Sequence, residues 1–196
     1  MSKIIYLDTE TTGFSPKKGD RMVEIGALIF TGGELSSQFH SYLNPMTPVH
    51  PGALKVHGLT NEFLADYPTF AEIAGEFLEF ISGGELVIHN APFDLSFLDF
   101  ELGLADLPTV TSLNLKVVDT LPLAKELVTG KHNLSDLCDT LSVKKEEKMH
   151  SAIADCLVLQ RVHKALSLLG EKPAPKPSSG IVGAVSSALR IKPRPK

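Results

Sequence analysis

KIIYLDTETTG, residues 3–13, begins as a short apolar strand and ends in a turn, with Asp8 and Glu10 two positions apart at its end. Side chains alternate along a strand, so both carboxylates point to the same face. A strand opening on Ile4, Ile5, Tyr6 and Leu7 belongs in the middle of a sheet, which argues against a merely solvated strand end. Two like charges on one face are costly unless something positive sits between them. The Thr11-Thr12-Gly13 turn lets backbone approach a ligand closely, although Thr11 and Thr12 equally suit a role in satisfying the turn itself.

The rest of the fold reads outward from this strand. Met22–Phe30 (MVEIGALIF) and Ser37–Leu43 (SQFHSYL) are two further strands, joined through a turn at Gly32-Gly33. With residues 3–8 they make an antiparallel meander of three strands. Over residues 61–82 the apolar period becomes helical (Phe63, Leu64, Tyr67, Phe70, Ile73, Phe77, Leu78, Ile81), with a break at Pro68. Glu85–His89 (ELVIH) is a buried strand, and Asn90 stands where it can cap a helix opening at Ala91-Pro92. Leu115–Asp119 is a fifth strand, followed by helical segments near 121–128 and 134–141 and a longer helix over Ser151–Leu169. The fold class is α/β, with one mixed five-stranded sheet made of the meander plus two further strands and flanked by helices.

The chain has 196 residues, 43% of them hydrophobic and 21% charged, and a formal net charge of −4. These values suit a globular domain and exclude a disordered chain. No run of eighteen apolar residues is present, so no membrane helix is expected, and Asp8 and Glu10 interrupt any signal-peptide apolar region. Cys138 and Cys156 are too few for a disulfide scaffold and lack partners for a zinc site, as suits two thiols in a reducing cytoplasm. The charge is unevenly placed. Residues 171–196 hold six basic residues against one acid and five of the thirteen prolines, whereas residues 1–170 hold 13 basic against 22 acidic. The break marks a domain of residues 1–170 and a basic, Pro-rich tail of residues 171–196, flexible or partner-binding. By charge alone the body is a poor nucleic-acid binder.

Two further groups carry chemistry. In His89-Asn90-Ala91-Pro92-Phe93-Asp94, the acid lies in the first turn of a helix, at the carboxyl end of a sheet strand where α/β sheets bind ligands. Helix-dipole stabilisation is the alternative role for Asp94, and core packing that for Phe93. In His150-Ser151-Ala152-Ile153-Ala154-Asp155, five helical steps would leave the two ends about 140° apart. Ser151 as N-cap resolves this by placing His150 in the preceding loop and Asp155 on the second helical turn. Four carboxylates then converge with one loop histidine, and an oxygen-only ligand set suits Mg²⁺ or Mn²⁺. Among the other histidines, His40, His50, His132 and His163 fit no motif, and His89 sits where it can orient towards Asp94.

On these three groups the chain resembles the DEDDh family of 3′→5′ exonucleases, which have a ribonuclease H-like fold. It is most similar to the proofreading subunits of bacterial replicative polymerases. Leu7–Gly13, His89–Asp94 and His150 with Asp155 carry the likeness, together with Val56-His57-Gly58-Leu59 and Asn61–Leu64, over about residues 3–169. The resemblance implies that Asp8, Glu10, Asp94 and Asp155 hold two divalent metal ions and that His150 is the general base. It places Thr9, Thr11, Gly13, His57, Asn90 and Phe93 around the 3′-terminal nucleotide; a plain turn role is the alternative for His57. The implied substrate is DNA with a free 3′ end, single-stranded or frayed, released as 5′-mononucleotides. RNA-directed exonuclease action and a structural, polymerase-associated role are the alternatives. A DNA polymerase catalytic subunit is the implied partner, in the cytoplasm, and no membrane is. The tail departs from the family: it has no clamp-type glutamine motif, Gln160 belonging to the last helix, so sliding-clamp binding does not carry over. Its Ile181–Ile191 segment has the pattern of a short amphipathic helix suited to a partner, with a solubilising tail as the alternative.

Overall fold

A computed structural model describes residues 3–146 and 150–171; the tail from Lys172, with its Ile181–Ile191 segment, lies outside the described residues. Five strands form one sheet: β1 (Lys3–Thr11), β2 (Met22–Thr31), β3 (Glu34–Tyr42), β4 (Glu85–Ile88) and β5 (Val117–Asp119), in the order β3-β2-β1-β4-β5. The β1–β2 and β2–β3 pairs are antiparallel, and β1–β4 and β4–β5 are parallel. The strand that opens the chain is thus the central one. It runs past Asp8 to Thr11, because β2 pairs with it to its end. β3 begins before Ser37, where its exposed polar residues hide the strand from any apolar pattern.

Seven α-helices accompany the strands among the described residues: α1 (Pro51–His57), α2 (Asn61–Leu64), α3 (Phe70–Ile81), α4 (Ala91–Leu104), α5 (Thr120–Leu127), α6 (Leu134–Leu141) and α7 (Ala152–Gly170). The break expected at Pro68 separates α2 from α3, and a capping box of Thr69 with Glu72 starts the latter. Helix α1 escapes the periodicity argument because it is short and mostly exposed. Its signals are Pro51 at the start and Gly58, at φ 75°, at the end.

Alternation along the strands sorts the core into two layers. Ile5, Leu7, Ile25 and Ala27 pack against Phe77 of α3 and Phe97 of α4. Tyr6, Leu28 and Val87 pack on the other face against Cys156 and Leu159 of α7. Fully burying a side chain such as Phe77 or Phe97 contributes about 1.5–3 kcal/mol. A two-pronged ion pair with a buried acid ties α4 to the start of β2: Arg21 Nε and Nη2 donate to Glu101 at 2.7 and 2.6 Å. Such a forked geometry fixes orientation as well as distance. Among the described residues no helix is long and apolar enough to cross a membrane, and Cys138 and Cys156 are buried free thiols.

Candidate active site

The parity that sends Tyr6 towards α7 sends Asp8 and Glu10 the same way, so both acids meet the N-terminal end of that helix. Thr9 faces the opposite layer, where its backbone N–H and its hydroxyl donate to Oδ1 of the buried Asp94 at 3.1 and 2.7 Å. One strand therefore presents two acids on one face and grips a third through the other. His150 lies in the loop just before Ser151, the N-cap of α7, as the sequence spacing requires. Asp155 falls in the first turn of α7 rather than the second, and its Oδ2 accepts the His150 backbone N–H at 3.2 Å. His150 is exposed and holds a left-handed backbone, φ 63°. A ligand atom each from Glu10, His150 and Asp155 lies within 4.8 Å of the others.

Crowding of anions shows in their proton affinities. Burial raises Asp8 well above the carboxylate range, and repulsion from Asp94, Asp155, Glu10 and Glu24 adds to it. Glu10 is pushed up to about 8, first by burial and then by Asp155, Glu24 and Asp94. Asp94 rises to about 7 through burial, opposed by the Thr9 hydrogen bonds that favour its charged form. Asp155 rises to about 6, again by burial, with His150 pulling the other way. Asp155 Oδ1 is buried with no hydrogen-bond partner. Unpartnered carboxylate oxygen in a cluster of reluctant acids is what a hard divalent cation satisfies, so the donor set fits Mg²⁺ or Mn²⁺.

Beside the acids, Thr9, Thr11, Gly13, His57 and Phe93 line a cleft of about 150 Å³ with Glu10, Phe14, Gly52, Ala53 and Val56. His57 closes α1. Its Nδ1 accepts the Leu59 N–H at 3.0 Å, which leaves Nε2 as the hydrogen-bearing atom, buried and without a partner. Burial lowers its pKa. Thr11 Oγ1 donates to the Gly13 carbonyl at 2.6 Å, serving the turn as well as the cleft. Phe93 is half-buried and stacks at a tilt on Phe97, 5.1 Å between centroids.

The Exonuclease family pattern matches residues 5–162. The chain belongs to the exonuclease family. Among curated proteins this exonuclease is 42% identical over 166 residues to DNA polymerase III subunit epsilon of Pasteurella multocida (strain Pm70), covering 81% of this chain and 66% of that protein. It is 41% identical over 176 residues to the same subunit of Escherichia coli (strain K12), covering 85% of this chain and 72% of that protein. A solved structure, the nuclease domain of 3′hExo, a DEDDh family member bound to rAMP, superposes with a TM-score of 0.71 at 16% identity, covering 87% of this chain and 92% of that one. That likeness shows the ribonuclease H-like fold with its mixed five-stranded sheet.

Two expectations for this exonuclease need correction. Asn90 does not cap α4 with its side chain: it is exposed, sits at φ 65°, and is absent from the cleft lining. Its backbone N–H instead donates to Asp119 Oδ1 at 2.9 Å. His89 does not orient towards Asp94; its ring bonds Thr120 Oγ1 at 2.8 Å and the His132 carbonyl at 2.7 Å. His40 and His50 are paired with acids, Glu24 at 2.8 Å and Asp20 at 3.1 Å. The residue that sequence reading missed is Glu24, 1% exposed and opposite Glu10 in the β1–β2 ladder. Its signal was present, an acid inside the apolar run MVEIGALIF. Phe14, 87% exposed at the cleft, was missed too, because it follows the motif rather than belonging to it.

Proposed function

We propose that this chain removes 3′-terminal nucleotides from DNA as 5′-mononucleotides, as the proofreading component of a replicative DNA polymerase. The observation that carries this reading is the convergence of Asp8 and Glu10 from β1, Asp94 from α4, and His150 with Asp155 from the start of α7, beside an open cleft. The names of the relatives support the polymerase association.

Asp8, Glu10, Asp94 and Asp155 would hold two divalent cations, which supply positive charge for the phosphate and lower the pKa of water. This answers the charge objection, since an acidic body can then accept an anionic strand. His57 Nε2–H, a buried donor without a partner, faces the terminal nucleotide, and Phe14 and Phe93 flank its base. His150 takes the proton of the attacking water. The water oxygen bonds to phosphorus, the bond from phosphorus to the 3′ oxygen breaks, and that oxygen takes a proton from solvent to become the new 3′ hydroxyl, while His150 returns its own proton to solvent. His150→Gln is expected to lower kcat by about 10²–10⁴-fold while the melting temperature holds, since the side chain is exposed.

The test is a single-stranded DNA labelled once at its 3′ end and once at its 5′ end, incubated with the chain and Mg²⁺. Early release of the 3′ label as a mononucleotide supports the reading; early 5′ release or internal cuts oppose it. Faster removal of a mismatched than of a paired 3′ end is expected, because an unpaired base costs less to unstack. A matched RNA strand degraded preferentially would instead favour an RNA-directed enzyme. Co-purification with a polymerase catalytic subunit, lost on deleting residues 171–196, would assign the partner-binding role to the tail in the bacterial cytoplasm.

A further inference from the structure

We propose that Glu24 is a positioning residue for this hydrolysis, holding His150 and the first turn of α7 on strand β2. The proposal rests on the exonuclease reading above and deepens it. Glu24 is an acid 1% exposed and paired directly with Glu10 across the ladder. Burial and a like charge opposite both disfavour such a placement. Two hydrogen bonds offset that cost: Glu24 Oε1 accepts from His40 Nε2 on β3 at 2.8 Å and from the Ser151 hydroxyl at 3.1 Å.

The second bond is informative because of what Ser151 forgoes. A serine at an N-cap ordinarily accepts a backbone N–H of its own helix, which stabilises the helix start. Ser151 occupies that position and makes no capping bond; its hydroxyl reaches across to β2. Two more contacts fasten the same turn. Cys156 Sγ–H donates to the Gly26 carbonyl at 3.3 Å. A Cβ on Gly26 would stand 2.7 Å from the backbone carbon of Ala152, so only glycine permits so close an approach.

Glu24 and Gly26, on one face of β2, thus form a seat for the start of α7. His150 directly precedes the tethered serine, and Asp155 lies four residues beyond it. The left-handed backbone of His150 is disfavoured for a residue with a Cβ and persists when neighbours over-determine it. Its neighbours do so twice, through the Asp155 bond to its N–H and through the Ser151 tether. With the tether cut, the turn frays and His150 loses its registration against Glu10.

The experiment uses the full chain, with kinetics on single-stranded DNA and Mg²⁺ run well below the melting temperature. Hydrogen–deuterium exchange is followed in parallel on metal-free protein. Glu24→Ala is expected to lower kcat on the order of 10²-fold at nearly constant KM, since it misplaces the catalytic histidine without touching the cleft. Exchange should quicken over residues 152–156 and stay unchanged in the rest of α7. Glu24→Gln keeps an acceptor oxygen for both donors and should recover most of the rate and the protection. Full activity in Glu24→Ala overturns the proposal. So does Glu24→Gln failing as badly as alanine with exchange unaltered, which would assign the role to charge instead of position. If Glu24→Ala does not fold, Ser151→Ala removes the tether alone, and unaltered exchange over residues 152–156 in that variant is equally decisive against it. A wild-type chain inactive on DNA would sink the exonuclease reading, while the exchange measurement still decides the tether.

Discussion

Asp8→Asn is expected to lower hydrolysis of single-stranded DNA by more than about 10³-fold, beyond the 10–100-fold typical of residues that only support a metal ligand. The reason lies in its position. Asp8 is the acid on which repulsion from Asp94, Asp155, Glu10 and Glu24 all falls, so it stands at the centre of the anionic cluster. On the two-cation proposal, removing its charge would remove a ligand at the centre of the site. The same substitution should raise the melting temperature of the protein in chelator, because it removes the cost of burying an acid whose charged form the cluster disfavours. Lost activity with a higher melting temperature separates missing chemistry from misfolding. Appreciable turnover by Asp8→Asn, or a lower melting temperature in chelator, would contradict this account of the site.

The second large effect is the dependence of stability on pH and on divalent ions. Glu10, Asp94 and Asp155 have folded pKa values raised to about 8, 7 and 6, chiefly through burial, with added repulsion from Asp155, Glu24 and Asp94 on Glu10, from Asp119 on Asp94 and from Glu24 on Asp155. A raised pKa means that the folded chain binds these protons more tightly than the unfolded chain does. Stability is therefore greatest below the ordinary carboxylate range of these groups and declines as pH rises from about 5 to about 8. Thermal melts in chelator across that window should show the decline. Adding Mg²⁺ or Mn²⁺ at neutral pH should reverse it. At a hundredfold excess over Kd the gain is about 2.7 kcal/mol, or about 5–10 °C for a domain of this size. A metal-free protein that becomes more stable from pH 5 to 8, or one indifferent to both ions, would refute the assignment. Since protons and cations compete for the same oxygens, the metal-induced shift should also grow with pH over this range.

Strand alternation and helix capping made much of this site legible in advance. That Asp8 and Glu10 share a face follows from a period of two residues, and β1 obeys it. That His150 and Asp155 can meet follows from the helix starting after Ser151, which the structure shows. The meander, its Gly32-Gly33 turn and the two later strands are likewise local readings, found where apolar runs and turn residues place them. Helix α1 was missed because so short and exposed an element leaves no periodic apolar stripe.

The charge asymmetry between residues 1–170 and the tail is also a property of the sequence alone, and it implies that the body needs cations to accept a nucleic acid. What only the tertiary structure decided are the long-range partnerships. Thr9 grips Asp94 across 85 positions, and Ser151 gives up its cap to reach Glu24 across 127. His57, which lines the cleft, keeps a buried Nε2 without a hydrogen-bond partner, while the Asn90 N–H bonds Asp119 and the His89 ring bonds Thr120 and the His132 carbonyl. Periodicity states which face a side chain takes on its own element. Which atom it then meets depends on how two faces are pressed together, and that is set by packing between elements far apart in the chain.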